Sequence, residues 1–134
     1  MTTIVFYASS MGNTEAAAEY LANKLGGNAV PFSSADLVDL EAVDTVVFGS
    51  RVHAGSMHKG MLNFIRTRGL ELSGCRTALF LCCLFDGEKA EAQLGRAREE
   101  SGIGTAAYFV SAKKNLKKGL TQQFDEFADR IGTV

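Results

Sequence analysis

Residues Ser9-Ser10-Met11-Gly12-Asn13-Thr14 have the types and spacing to hold an anion. Ser9, Ser10 and Thr14 bring hydroxyl donors, and Gly12 lets the backbone approach a ligand closely. The segment joins an apolar run to the start of a helical pattern. Free backbone N–H groups point outward at such a junction, and the helix dipole favours negative charge. No Lys or Arg lies in the loop, so a phosphate here would be held by neutral dipoles and hydroxyls. The same residues also suit a plain strand-to-helix turn with an Asn or Thr cap. The loop is neither a Walker A sequence nor a GxGxxG fingerprint.

The flanking elements favour the phosphate reading. Thr3 to Ala8, Asn28 to Phe32, Thr45 to Gly49, Thr77 to Leu84 and Ala106 to Val110 read as buried strands. Helical spacing fills the intervals: Thr14 to Leu25, ended by Gly26-Gly27; Lys59 to Arg66; Glu88 to Glu100; and Leu120 to Ile131, with Leu120, Phe124, Phe127 and Ile131 on one face. The strands are continuously apolar, which implies burial on both faces and a parallel sheet. Ligands in such folds bind beyond the C-terminal ends of the strands, so three loops matter: after the first, third and fourth strands.

Composition narrows the function. The 134 residues fit one domain, residues 1–134, without repeats or a linker. A net charge of −1 gives no global reason to expect nucleic acid or a membrane surface, and the chain lacks the acidity of many electron shuttles. The longest apolar run, Ala78 to Phe85, is too short to span a bilayer. Three cysteines, Cys75, Cys82 and Cys83, have no zinc spacing, so no metal site is expected. An odd count without a signal peptide reads as reduced thiols in a cytoplasmic protein. Adjacent Cys82 and Cys83 read as inert core thiols, since a disulfide between neighbours is strained.

With these residues in place, SSMGNTEAAAEYLANKL resembles the flavodoxin signature, in which a Ser/Thr-x-Thr-Gly-Asn-Thr loop grips the FMN phosphate. Ser9, Gly12, Asn13 and Thr14 match; Met11 stands where Thr or Ser is usual, its backbone N–H still available. The resemblance implies an α/β three-layer sandwich whose five-stranded parallel sheet has the order 2-1-3-4-5, with helices on both faces. The stretch Phe48 to Ile65 is similar to the flavodoxin-like menaquinone-dependent protoporphyrinogen oxidases at Gly49, Ser50, Gly55 and His58. This implies that Ser50, Arg51, Val52, His53, Ala54 and Gly55 cover one face of the flavin ring, and Leu84, Phe85, Asp86 and Gly87 the other.

There is no Trp, and Tyr7, Tyr20 and Tyr108 fall within expected strands or helices, so ring packing would rely on Phe85, Val52, His53 or Met57. Arg51 or His53 could place positive charge near the reduced flavin; solvated loop residues are the competing reading. His58, at a helix start, reads as structural or exposed. The Cys-x5-Arg loop of low-molecular-weight phosphatases is absent.

Three functions follow from the resemblance. The first is an FMN electron carrier or small oxidoreductase serving a redox partner protein. The second is oxidation of protoporphyrinogen IX with electrons passed to menaquinone, a quinone and porphyrin chemistry. The third is a flavin-free binding module. Family members of the second kind carry a long basic insertion before the last helix; here Ser111 to Gly119 holds only Lys113, Lys114, Lys117 and Lys118. These lysines could meet an acidic partner, porphyrin propionates or anionic lipid, or stand as a solvated approach to a helix.

Overall fold

The computed structural model describes residues 2–8, 12–52 and 54–132. Five strands, β1 (Thr3–Ala8), β2 (Asn28–Pro31), β3 (Thr45–Arg51), β4 (Arg76–Cys83) and β5 (Ala106–Val110), form one parallel sheet in the order 2-1-3-4-5. Successive strand residues face opposite sides of a sheet. Val5, Val47, Ala78, Phe80 and Phe109 enter one core; Ile4, Phe6, Val46, Phe48, Leu79 and Leu81 enter the other. Both sets are apolar, which is why the runs do not alternate in polarity.

Helix α1 (Asn13–Leu25) follows β1 and buries Ala17, Ala18, Leu21 and Ala22. The three alanines among them let the helix lie close on the sheet, in the core that also receives Phe124, Phe127 and Ile131 of the last helix. On the opposite face lie α2 (Lys59–Thr67), with Met61, Leu62, Phe64 and Ile65 inward, the single turn α3 (Gly69–Leu72), and α4 (Glu88–Ser101), with Ala90, Leu94 and Ala97 inward.

Several boundaries differ from expectation. Phe32 begins a 3-10 stretch, Phe32–Leu37, because Pro31 offers no N–H to continue the ladder. Strand β3 runs two residues further, to Arg51, so Ser50 and Arg51 lie on the strand and not in the loop after it. A short helix, α5 (Ala112–Lys117), occupies the lysine segment. Leu120 is excluded from the last helix, α6 (Gln122–Gly132); it is 60% exposed, and the buried face begins at Phe124. No described helix is long and apolar enough to cross a membrane.

Candidate functional site

The β1–α1 junction turns on Gly12, whose φ of 75° and ψ of −124° suit a residue without a Cβ. The first intrahelical bond runs from Ala16 N–H to the Gly12 carbonyl, so the amides of Asn13, Thr14 and Glu15 precede the helical ladder. Gly12, at the N-cap, has no side chain to cap this start, and among the described residues open space lies where its Cβ would project. The Asn13 side chain is engaged with α5: its Oδ1 accepts the Lys113 backbone N–H at 2.9 Å, tying the start of α1 to that helix. Thr14 is buried, and its hydroxyl bonds the Cys82 thiol.

This junction opens on a cleft of about 780 Å³ at the C-terminal edge of the sheet. That volume falls within the roughly 300–1,000 Å³ of small-molecule sites. Gly12, Asn13 and Thr14 form one end, Arg51 and Val52 a wall, and Leu84 and Phe85 another; Ala8, Cys82 and Cys83 reach it from the strand ends. Burial pushes the Cys82 thiol up to about 12, although the Thr14 hydroxyl bond pulls the other way, and pushes Cys83 up to about 11, with Asp86 adding to it. Both thiols are therefore uncharged at neutral pH.

The structure thus brings together Gly12, Asn13, Thr14, Arg51, Val52, Leu84 and Phe85. Ser9, Ser10, Met11 and His53 lie outside the described residues. The remaining expected residues are not among those that line the cleft. Ser50 is 1% exposed; its hydroxyl donates to the Arg51 carbonyl at 2.6 Å and accepts the His58 N–H at 2.9 Å, so it shapes the turn. Ala54, at a φ of 49°, has its carbonyl held by Arg96 at 3.1 Å, and the same Arg96 side chain approaches Gly55. Ser56 next to them donates to Glu100. Asp86 accepts from the Tyr108 hydroxyl and from Gly87 N–H, each at 2.7 Å. The Tyr108 bond, with the Gly87 N–H second, holds the Asp86 carboxyl below its ordinary range; the same bond raises Tyr108.

Met57 is 2% exposed within the core, so it packs there and not on a ligand. His58 caps α2, its Nδ1 accepting the Met61 N–H at 3.1 Å and its ring edge-on to Phe32, while it also borders the cleft. Lys113 and Gln93 border it as well. A cation therefore does stand beside the loop that carries none of its own. Strand order could have revealed it: Lys113 lies three residues past the end of β5, and every parallel strand ends at this edge.

The flavodoxin-domain family matches residues 4–134. Among solved structures, a flavodoxin from the domain Archaea is 20% identical, covers 98% of this chain and 99% of its own, and superposes with a TM-score of 0.65. Two-electron reduced Megasphaera elsdenii flavodoxin is 18% identical, with 96% and 99% covered and a TM-score of 0.64. The apo form of an NADH:FMN oxidoreductase is 11% identical, with 97% and 87% covered and a TM-score of 0.71. No curated protein matches the chain. On the family match, with this strand order beneath it, the chain belongs to the flavodoxin-domain family.

Proposed function

We propose that the cleft holds FMN and that the protein acts in electron transfer or as a small flavin oxidoreductase. Membership of the flavodoxin family indicates this cofactor. The observation that carries the reading is the cleft itself: an α1 start whose N-cap is a glycine and a space walled in part by apolar side chains share one continuous volume. The phosphate belongs at the amides of Asn13, Thr14 and Glu15, with Ser9, Ser10 and Met11 completing the loop. The ring belongs between the 50–55 segment, including His53, and the Leu84–Gly87 segment.

FMN supplies the redox chemistry, accepting and releasing electrons singly or in pairs. The chain's own contribution is placement and electrostatics. Val52 and Phe85 would give a bound flavin apolar contact, and the neutral Cys82 and Cys83 thiols put no negative charge in the cleft. Arg51 and Lys113 bring positive charge to a site that gains negative charge on reduction. Three free cysteines accord with a reducing, cytoplasmic setting.

The visible spectrum tests this directly. The purified protein should be yellow or should bind added FMN stoichiometrically. A colourless protein that rejects FMN overturns the reading and leaves a flavin-free binding module. Within the flavin reading, the narrower one is protoporphyrinogen oxidation with electrons passed to menaquinone. It draws on Gly49, Ser50, Gly55 and His58, and on the Lys113 side chain at the cleft, which could pair with propionates. Turnover of protoporphyrinogen with a menaquinone analogue decides it; no turnover by flavin-loaded protein eliminates it.

A further inference from the structure

In a chain of net charge −1, four of the 14 Lys and Arg residues fall within six positions: Lys113, Lys114, Lys117 and Lys118. All four are exposed, and no Asp or Glu occurs between Ile103 and Phe124. Among the described residues none of the four is in an ion pair. With Asn13 and Ser111 they line a concavity of about 580 Å³, and Asn13 and Lys113 also border the larger cleft. The positive face and the candidate flavin site are therefore contiguous. At the cleft's other rim, Leu84 is 88% exposed and Phe85 51%, with Lys89 Nζ 4.2 Å above the Phe85 ring.

Exposed apolar side chains across the cleft from cations that make no ion pair among the described residues match a protein interface with an apolar centre and a charged rim that steers encounter. An anionic membrane would need an apolar anchor among the lysines, because a polybasic patch alone binds lipid only modestly. Helix α5 offers none: Ala112 is fully buried and Leu116 packs against the core.

We propose that α5 and the adjacent cleft rim are the docking surface for an acidic, carboxylate-rich electron-carrier protein. The charge polarity follows: this protein brings the positive face, its partner the negative one. The inference rests on the flavin reading for its purpose, but docking is measurable without it.

The test is binding to a small acidic [2Fe–2S] ferredoxin as probe, by calorimetry and NMR titration. Binding should be clear at about 20 mM salt and at least roughly tenfold weaker at about 200 mM, as the Debye length shortens. The variant Lys114→Glu/Lys117→Glu/Lys118→Glu spares Lys113 and the cleft lining. It should lose ferredoxin binding by at least about tenfold while FMN affinity and circular dichroism stay unchanged. The Gln versions of the same three positions should give an intermediate loss without adding negative charge, which serves if charge reversal impairs folding. Ferredoxin binding that ignores salt or survives both variants overturns the proposal. So does binding of phosphatidylserine vesicles, or of inorganic pyrophosphate, without binding of ferredoxin. Failure of the flavin reading would appear separately, as a colourless protein that still binds ferredoxin.

Discussion

Two helices begin at the same edge of the sheet from nearly the same backbone. Helix α1 starts from Gly12 at φ 75°, ψ −124°, and α4 from Gly87 at φ 74°, ψ −142°; neither glycine offers a side-chain cap. Each follows a strand that ends at the cleft, and each presents amides ahead of its first intrahelical bond. What separates them is charge. The start of α4 is already provided with carboxylates: Asp86 accepts the Gly87 N–H, and Glu88 and Glu91 lie in the first turn. The first turn of α1 holds only Glu15, which bonds Tyr7; burial first, and then that carboxylate, raises the Tyr7 phenol. On the flavin reading, the difference teaches that a helix start suits an anion better where the chain sets fewer carboxylates at its positive end.

The comparison is open to attack at four points. Gly12→Ala should act most strongly, since a Cβ at that backbone costs about 1–3 kcal/mol and the loop must shift to relieve it. FMN binding, followed by fluorescence quenching, should weaken about 10- to 100-fold. Gly87→Ala should lower the melting temperature comparably but, because the Leu84–Gly87 segment meets the ring and not the phosphate, weaken FMN binding less, by about three- to tenfold. Equal losses of affinity in both variants would mean that the two starts are equivalent.

Asn13→Asp should rank next. The new carboxylate still accepts the Lys113 N–H but answers the α1 dipole, and FMN affinity should fall by about three- to tenfold. Affinity unchanged by that charge would place the phosphate elsewhere.

The thiols give the third, because each reports on one helix start: Cys82 through Thr14 at α1, Cys83 through Asp86 at α4. Both are raised from an ordinary 9.0, to about 12 and about 11. Between those values the native protein binds more protons than the unfolded chain, so stability falls as pH climbs from about 9 towards 12. Urea titrations at stepped pH should show that decline, and Cys82→Ala/Cys83→Ala should flatten it. A decline unchanged in the variant would assign it to other groups.

The smallest effect belongs to Tyr108→Phe. Removing its hydroxyl should let the Asp86 carboxyl titrate higher, observable by NMR, and shrink the stability lost as pH falls through the Asp86 transition. FMN affinity should change by only about two- to threefold, because Gly87 N–H still holds Asp86. An unmoved Asp86 titration would show that the Tyr108 bond does not form in solution.

The backbone-built parts of this molecule were readable from local sequence, and the side-chain-built parts were not. Strands such as Thr3–Ala8 announce themselves because both faces are buried, and the place of Gly12, Asn13 and Thr14 at the cleft because they closely follow such a strand. The supports of the second and third loops come from afar: Arg96 reaches Ala54 across 42 positions, and Tyr108 reaches Asp86 across 22. No periodicity encodes such pairs. Helix α5 was missed because Ala112 and Leu116 alone face inward, too few to show a helical period. Leu120 misled for the opposite reason: it continues the spacing of Phe124 and Phe127 yet lies outside α6.

The bond between Asn13 and Lys113 N–H spans 100 positions. During synthesis at about 5–20 residues per second, the first half of that contact leaves the ribosome some 5–20 s before the second. The cleft therefore lacks its last wall while most of the chain is already made. A nascent chain halted before α5 would carry Gly12, Asn13 and Thr14 without the Lys113 side of the cleft.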